Sequence, residues 1–295
     1  MTPREEGFLL LSSTLGDPSR KPLPTAQLRL LARRMAASEM PRENRELALS
    51  ELTAVGCSAA LGEHILCLLA EKERLCRYLN RGERVQCVAL TRVTDGYPLR
   101  LRRKLGDDSP GVLWARGELR LLGQRCIALV GSRDILEPNR AFAAEVGRQA
   151  AIQGYVLISG NARGSDKIAQ EACLNAGGQV ISVVADELER HPVRENILYV
   201  SEDGFDLPFS SLRALSRNRV IHAMGEKTMV SQCSLGTGGT WSGTVHNLRG
   251  DWSPVFCFRD GSEAALQLEM MGAQLTGLEQ LRCFEQLSEN TLRLF

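Results

Sequence analysis

After residue 123 the chain alternates short, wholly apolar runs with stretches of helical periodicity, and few architectures accommodate that pattern. Cys126–Val130 is the first such run and ends in Gly131-Ser132-Arg133. Pro138-Asn139 then opens a helix expected to reach about Gly154. Residues 155–158 form a second run ending in Ser159-Gly160, followed by a helix over 166–176 and a third run at 180–184. Residues 228–233 and Val255–Phe258 continue the series, with helical stretches between. A strand without polar alternation is buried on both faces, the condition of a parallel sheet covered by helices on each side. Ligands of such sheets sit at the carboxyl ends of the strands, where the strand order reverses. Every glycine-rich or arginine-bearing loop of this region falls at such an end. The predicted fold class is therefore α/β, with a mainly parallel sheet and its site at the strand exits.

The first 90 residues have a different rhythm. Apolar residues recur at helical spacing over 26–37 and again over 61–79. Between them Leu52-Thr53-Ala54-Val55-Gly56-Cys57-Ser58 reads as a glycine turn whose serine caps the next helix. Helix, glycine turn, helix can offer backbone N–H groups to a phosphate, and equally any two packed helices need such a turn. Residues 91–122 are transitional, with turns at Asp95-Gly96-Tyr97-Pro98 and Gly106-Asp107-Asp108 and a short strand at Val112-Leu113-Trp114-Ala115. The expected organisation is a helical domain over 1–90 and a sheet domain over 91–295, the latter ending in a short helical extension.

Composition narrows the function. A net charge of +1 excludes a bulk basic surface, yet the charge is unevenly divided. Residues 1–122 carry 20 Lys+Arg and 15 Asp+Glu, whereas 123–295 carry 16 and 20. Arginine outnumbers lysine 31 to 5, which fits either bidentate phosphate recognition or a GC-rich genome. The nine cysteines include no C-x-x-C pair and no Cys/His quartet at zinc spacing. No signal peptide or membrane-length apolar segment is evident, so a reduced, cytoplasmic protein off the membrane, without metal or cofactor, is expected.

Four loops can carry chemistry. Gly131-Ser132-Arg133 permits close backbone approach and places a guanidinium at a strand exit. In Ser159-Gly160-Asn161-Ala162-Arg163-Gly164-Ser165-Asp166, two glycines bracket an arginine ahead of a helix that Ser165 or Asp166 would cap. That loop either gathers donors around a phosphate or merely turns strand into helix with Arg163 in solvent. Arg217-Asn218-Arg219 stands at an expected helix start, an unfavourable place for two cations unless an anion neutralises them. Gly236-Thr237-Gly238-Gly239-Thr240 offers hydroxyls and backbone donors, and Trp241 beside it can stack on a base or pack. The last loop lacks the third glycine of a dinucleotide fingerprint, and no P-loop, nucleophile elbow or nucleophile–base signature occurs.

In order, these segments resemble the DNA-processing protein A (DprA/Smf) family. The matching pieces are Tyr97-Pro98 with Leu101, Val112-Leu113-Trp114-Ala115-Arg116-Gly117, Ala128-Leu129-Val130-Gly131-Ser132-Arg133, Ser159-Gly160 with Ala162-Arg163-Gly164 and Asp166, Gly177-Gly178, and Arg217-Asn218-Arg219-Val220-Ile221. The resemblance implies an extended Rossmann-like fold behind a sterile-alpha-motif-like, helix-hairpin-helix domain. It implies a non-enzymatic homodimer that binds single-stranded DNA and loads a RecA-type recombinase in natural transformation. By position, DNA phosphates would be held by Arg133 and Arg163, with Arg217 and Arg219 beside them and Arg194 as a looser match. Ser165, Ala185-Asp186-Glu187, Gln232 and residues 237–243 depart from the family's pattern, and its winged-helix tail is not evident. A paralogue from a mobile element or a defence system fits those departures. The alternative class is a small-nucleotide sensor or a Lonely Guy-like phosphoribohydrolase, whose loop residues 236–240 echo without its proline or glutamate.

Overall fold

The computed structural model describes every residue except 39–45, 203 and 288–295. The chain divides into two compact units, one formed by residues 1–97, 110–114 and 202–207 and the other by the remainder.

In the first unit, α1 (Pro3–Ser12), α2 (Thr25–Ala37), α3 (Leu49–Ala54), α4 (Ala59–Ala70) and α5 (Lys72–Arg84) lead to the strand β1 (Val88–Thr91). Leu23, Leu52, Cys57, Ile65 and Leu68 form a buried cluster among these helices. The expected single helix over 61–79 is two, broken at Glu71. The carboxylate of Glu71 is engaged by Arg20 and Arg74, and the buried Arg20 also donates to the carbonyls of Leu10 and Ser13. The glycine turn forms as its residues predict. Gly56 takes φ +88° and the Ser58 hydroxyl accepts the Leu61 amide at 3.3 Å.

The second unit contains α6 (Leu99–Leu105), part of β2 (Val112–Gly117), then β3 (Cys126–Val130), α7 (Glu137–Ile152), β4 (Val156–Ser159) and α8 (Ser165–Asn175). There follow β5 (Gln179–Val183), β6 (Ile197–Ser201), α9 (Ser211–Ser216), α10 (Asn218–Met224), β7 (Lys227–Val230), α11 (Gly238–Gly250), β8 (Val255–Phe258), α12 (Glu263–Met270) and β9 (Gln274–Thr276). Within the sheet these strands lie in the order β6-β5-β4-β3-β7-β8-β9, each neighbouring pair parallel. The α/β class with a mainly parallel sheet is thus the observed one. Its core joins Ile127, Leu129, Leu157 and Met229 of the strands to Phe142 and Val146 of α7.

Two expectations change here. The strand expected over 228–233 ends at Val230. Beyond it, the Ser231 hydroxyl turns to Ser165 at 2.8 Å and Gln232 bridges Leu136 and Asp134 instead of continuing the ladder. The short helical extension expected at the end of the sheet domain contains α12 and also β9, which pairs with β8 at Cys257↔Leu275. Residues 288–295 of that expected extension lie outside the described residues. Among the described residues no helix is long and apolar enough to cross a membrane, and no group of three or more Cys, His, Asp or Glu is placed to hold a metal ion.

Candidate nucleic-acid interface

Strands β3 and β7 are neighbours whose successors leave in opposite directions, β4 on one side and β8 on the other. At their carboxyl ends the covering connections diverge, which opens a crevice there. A cleft of about 400 Å³ occupies this place. The exit of β3 contributes Gly131, Ser132 and Arg133 to it, and the exit of β7 contributes Cys233, Ser234 and Thr237. Gly238, Gly239 and Thr240, the first turn of α11, close one side. Ser211, Ala214 and Leu215 of α9 form the facing wall, and Arg217 and Asn218 lie at the α9–α10 junction.

Glycine at the strand exits is required by close approach. A Cβ on Gly131 would stand 2.0 Å from the Ser231 hydroxyl, and one on Gly160 would stand 1.4 Å from Nη1 of Arg217. The second contact explains why a glycine after β4 matters although Gly160 does not line the cleft: it makes room for the guanidinium.

Arg217 is 7% exposed, with Nη2 at 3.9 Å from Oδ2 of the buried Asp166. Asp166 does not cap its helix from outside, as expected. The N-cap is Gly164, with φ +83°, and the Asp166 carboxylate accepts the amides of Gly160 and Ala162 at 3.1 and 3.2 Å. Desolvation pushes the Asp166 carboxyl above its ordinary value, opposed by Arg217 and those two amides. Ser165, the other expected cap, donates to the Ser132 carbonyl at 3.0 Å and so ties the β4 exit to the β3 exit.

Arg133 is exposed at the mouth. Its guanidinium lies 5.9 Å above the ring of Phe209, which is itself 53% exposed. Among the described residues Arg133 makes no ion pair with a carboxylate. The N-terminus of α11, a helix of 13 residues, presents its free amides and the positive end of its dipole to the same space. The Cys233 thiol is pushed up to about 11 by burial, so it stays neutral there at physiological pH.

The remaining expected residues have other surroundings. Arg163 is held by Asp134 at 2.5 Å in an exposed pair beside the mouth. Ser159 is fully buried and accepts from Gln170 at 2.6 Å. Gly164 packs against the backbone of Arg133. Arg194 is exposed in the segment between β5 and β6, and Arg219 is half-buried on α10, both outside the cleft lining. The argument from two cations at a free helix start does not hold, because α9 runs almost directly into α10 and Arg217 keeps helical backbone angles. The Thr240 hydroxyl donates to the Gly131 carbonyl at 2.9 Å and Asn218 to the Gly239 carbonyl at 3.0 Å, so both shape the cleft. Trp241 is half-buried on α11 and does not line it.

Sequence reasoning missed α9 and Phe209. The signal was present as Phe209-Ser210-Ser211-Leu212, since the Ser210 hydroxyl accepts the Arg213 amide at 3.2 Å as a helix cap.

The chain is 28% identical over 136 residues to DNA processing protein DprA of Bacillus subtilis, a span of 42% of this chain and 46% of that protein. It is 31% identical over 142 residues to protein Smf of Escherichia coli, or 44% of this chain and 38% of that one. The matched span is thus less than half the length of these curated relatives. Among solved structures, DNA processing protein A of Streptococcus pneumoniae superposes with a TM-score of 0.70 at 23% identity, covering 94% of this chain and 95% of that one. DNA processing protein A of Helicobacter pylori, whose structure was described for its single-stranded DNA binding mode, superposes with a TM-score of 0.56 at 23% identity over 67% of this chain and 93% of that one. These superpositions share the Rossmann-like α/β fold. The family described as DNA recombination-mediator protein A matches residues 88–250, more than half of the sequence and the whole of the cleft, and this chain belongs to that DprA/Smf family.

Proposed function

We propose that this protein binds single-stranded DNA at the β3/β7 cleft without chemical turnover, as a cytoplasmic homodimer acting in DNA processing and recombination with a RecA-type recombinase. The observation that carries the reading is Arg133, a cation at the mouth of a strand-end cleft that makes no ion pair among the described residues. The amides at the start of α11 supply neutral donors to the same anion, and Arg217 supplies charge from below. Phe209 beside Arg133 offers a face on which a base can rest. Arg163 joins this set by exchanging Asp134 for a phosphate, at small cost because exposed ion pairs contribute about 0–1 kcal/mol. Gly131, Ser132, Gly238 and Gly239 let the backbone approach the strand closely, while Arg194 and Arg219 act, if they touch DNA, away from the cleft.

Binding is favoured over hydrolysis by the fate of Asp166. It is the carboxylate of the cleft lining, and its Oδ2 already accepts the amides of Gly160 and Ala162 and faces Arg217, so it seats the loop and the guanidinium. The test is a labelled oligonucleotide titrated in parallel with AMP. The reading expects a salt-sensitive shift of the oligonucleotide and no release of ribose phosphate; release of ribose phosphate, or tight AMP binding without oligonucleotide binding, contradicts it.

A further inference from the structure

The α9 wall of the cleft has little to hold it in place. It is six residues long, none of them buried, and Leu212 and Leu215 are 79% and 47% exposed. A segment this short is not stable by its own backbone hydrogen bonds, and without a buried face it gains little from packing beyond its junction with α10. Arg213, which belongs to none of the motifs that the sequence singles out, turns its guanidinium away from the cleft and toward the ends of the sheet. Nη1 donates to the carbonyl of Ala185, just after β5, at 2.9 Å and to that of Pro208 at 2.8 Å. Nη2 donates to the hydroxyl of Ser201, the last residue of β6, at 2.7 Å. Ala185 and Ser201 are themselves buried, so the anchor points belong to the rigid part of the unit.

One turn later the Arg213 carbonyl accepts the amide of Arg217 at 3.0 Å. Leu215 lies close enough that a Cβ on Gly239 would stand 3.3 Å from it, against the start of α11. We propose that Arg213 is a positioning residue that pins α9 to the ends of β5 and β6, and so sets both the wall of the cleft and the Arg217 guanidinium beneath it. The inference rests on the reading of the cleft as a single-stranded DNA site, and it assigns Arg213 no contact with phosphate.

Hydrogen–deuterium exchange on the full chain without DNA tests the pin by itself. Arg213→Ala and the charge-conserving Arg213→Lys should speed exchange of the 210–217 amides about tenfold, while amides of β3 and β7 exchange as before. Both variants should bind a labelled oligonucleotide about tenfold more weakly, with the slope of log affinity against log salt unchanged, since no phosphate contact is removed. A slope lowered by about one would make Arg213 a phosphate ligand and overturn the proposal. Unchanged exchange, or faster exchange with unaltered affinity, would overturn it as well. If the unsubstituted protein fails to bind the oligonucleotide, the single-stranded DNA reading falls, and the exchange result still decides whether the pin exists.

Discussion

The two ends of the parallel sheet in the second unit are both rich in cations, and they differ at Arg133. At the amino ends of β3 and β7, Arg125 pairs with Glu226 and Glu285 at 3.0 Å each, and Arg100 pairs with Glu226 at 3.1 Å. Lys104 donates to the Gly225 carbonyl at 2.7 Å, and Lys227 donates to the carbonyls of Phe284 and Leu287. Each of these positive charges finds its acceptor within the chain. Burial, with the Arg100 charge nearby, lowers the Lys104 amine to about 8. At the carboxyl ends Arg163 pairs with Asp134 and Arg217 faces Asp166 at 3.9 Å, whereas Arg133 faces the open cleft with no ion pair among the described residues. The comparison separates cations whose acceptor the protein itself supplies from Arg133, for which it supplies no carboxylate among the described residues.

Substitutions at the two ends should therefore fail differently. The largest effect is expected at the floor of the cleft. Arg217→Ala removes the buried cation that faces Asp166, and loss of one partner of a buried pair costs about 3 kcal/mol, read as a lower midpoint in urea unfolding. A midpoint within error of the unsubstituted protein would show that the two amides alone satisfy Asp166.

The next effect lies between the two ends, on α10. His222 is fully buried, with Nδ1 near Thr228 and Asn247 at 3.3 and 3.2 Å, and burial lowers its pKa to about 3 from an ordinary 6.5. The folded form therefore keeps His222 neutral where the unfolded chain takes up a proton. Its contribution is complete above about pH 6.5 and declines as the pH falls toward 3, by about 1.4 kcal/mol per unit within that window. His222→Gln should remove this part of the slope when unfolding is measured between pH 6.5 and 5.5. An identical slope in both proteins would place the titrating group elsewhere.

The smallest effect is expected at the amino end. Arg125→Ala breaks exposed pairs, so stability should change by less than about 1 kcal/mol, and oligonucleotide affinity should not change. A clear fall in affinity would erase the distinction between the two ends.

Much of this architecture is legible in the sequence because buried parallel strands leave so plain a trace. Cys126–Val130 and Val255–Phe258 coincide with β3 and β8, and the helices after β3 and β4 begin within a residue or so of their expected starts. The elements that escape are those whose stability comes from elsewhere in the chain. Strand β9 is three residues, Gln-Leu-Thr, and exists because β8 offers it a free edge. Helix α9 is held by a side chain reaching β5 and β6. At the break between α4 and α5, Glu71 pairs with Arg20, fifty-one residues earlier.

The same limit applies to the site. The strand-exit loops are visible as glycine and arginine in the right places, but the fate of each guanidinium depends on partners distant in sequence. Arg163 meets Asp134 across a separation of 29, and Arg217 lies over Gly160, part of a loop that its own neighbours do not reveal. Gln232 shows the same dependence. It accepts the Leu136 amide and donates to the Asp134 carbonyl, two roles that a glutamate cannot combine at neutral pH.

The central claim is that an open cation at the carboxyl end of β3 holds a DNA phosphate. It is tested most directly by titrating one labelled oligonucleotide into the unsubstituted protein and into Arg133→Ala across a series of salt concentrations. The account predicts that the variant binds about tenfold more weakly and that its slope of log affinity against log salt is shallower by about one. The same affinity and slope in both proteins would contradict it.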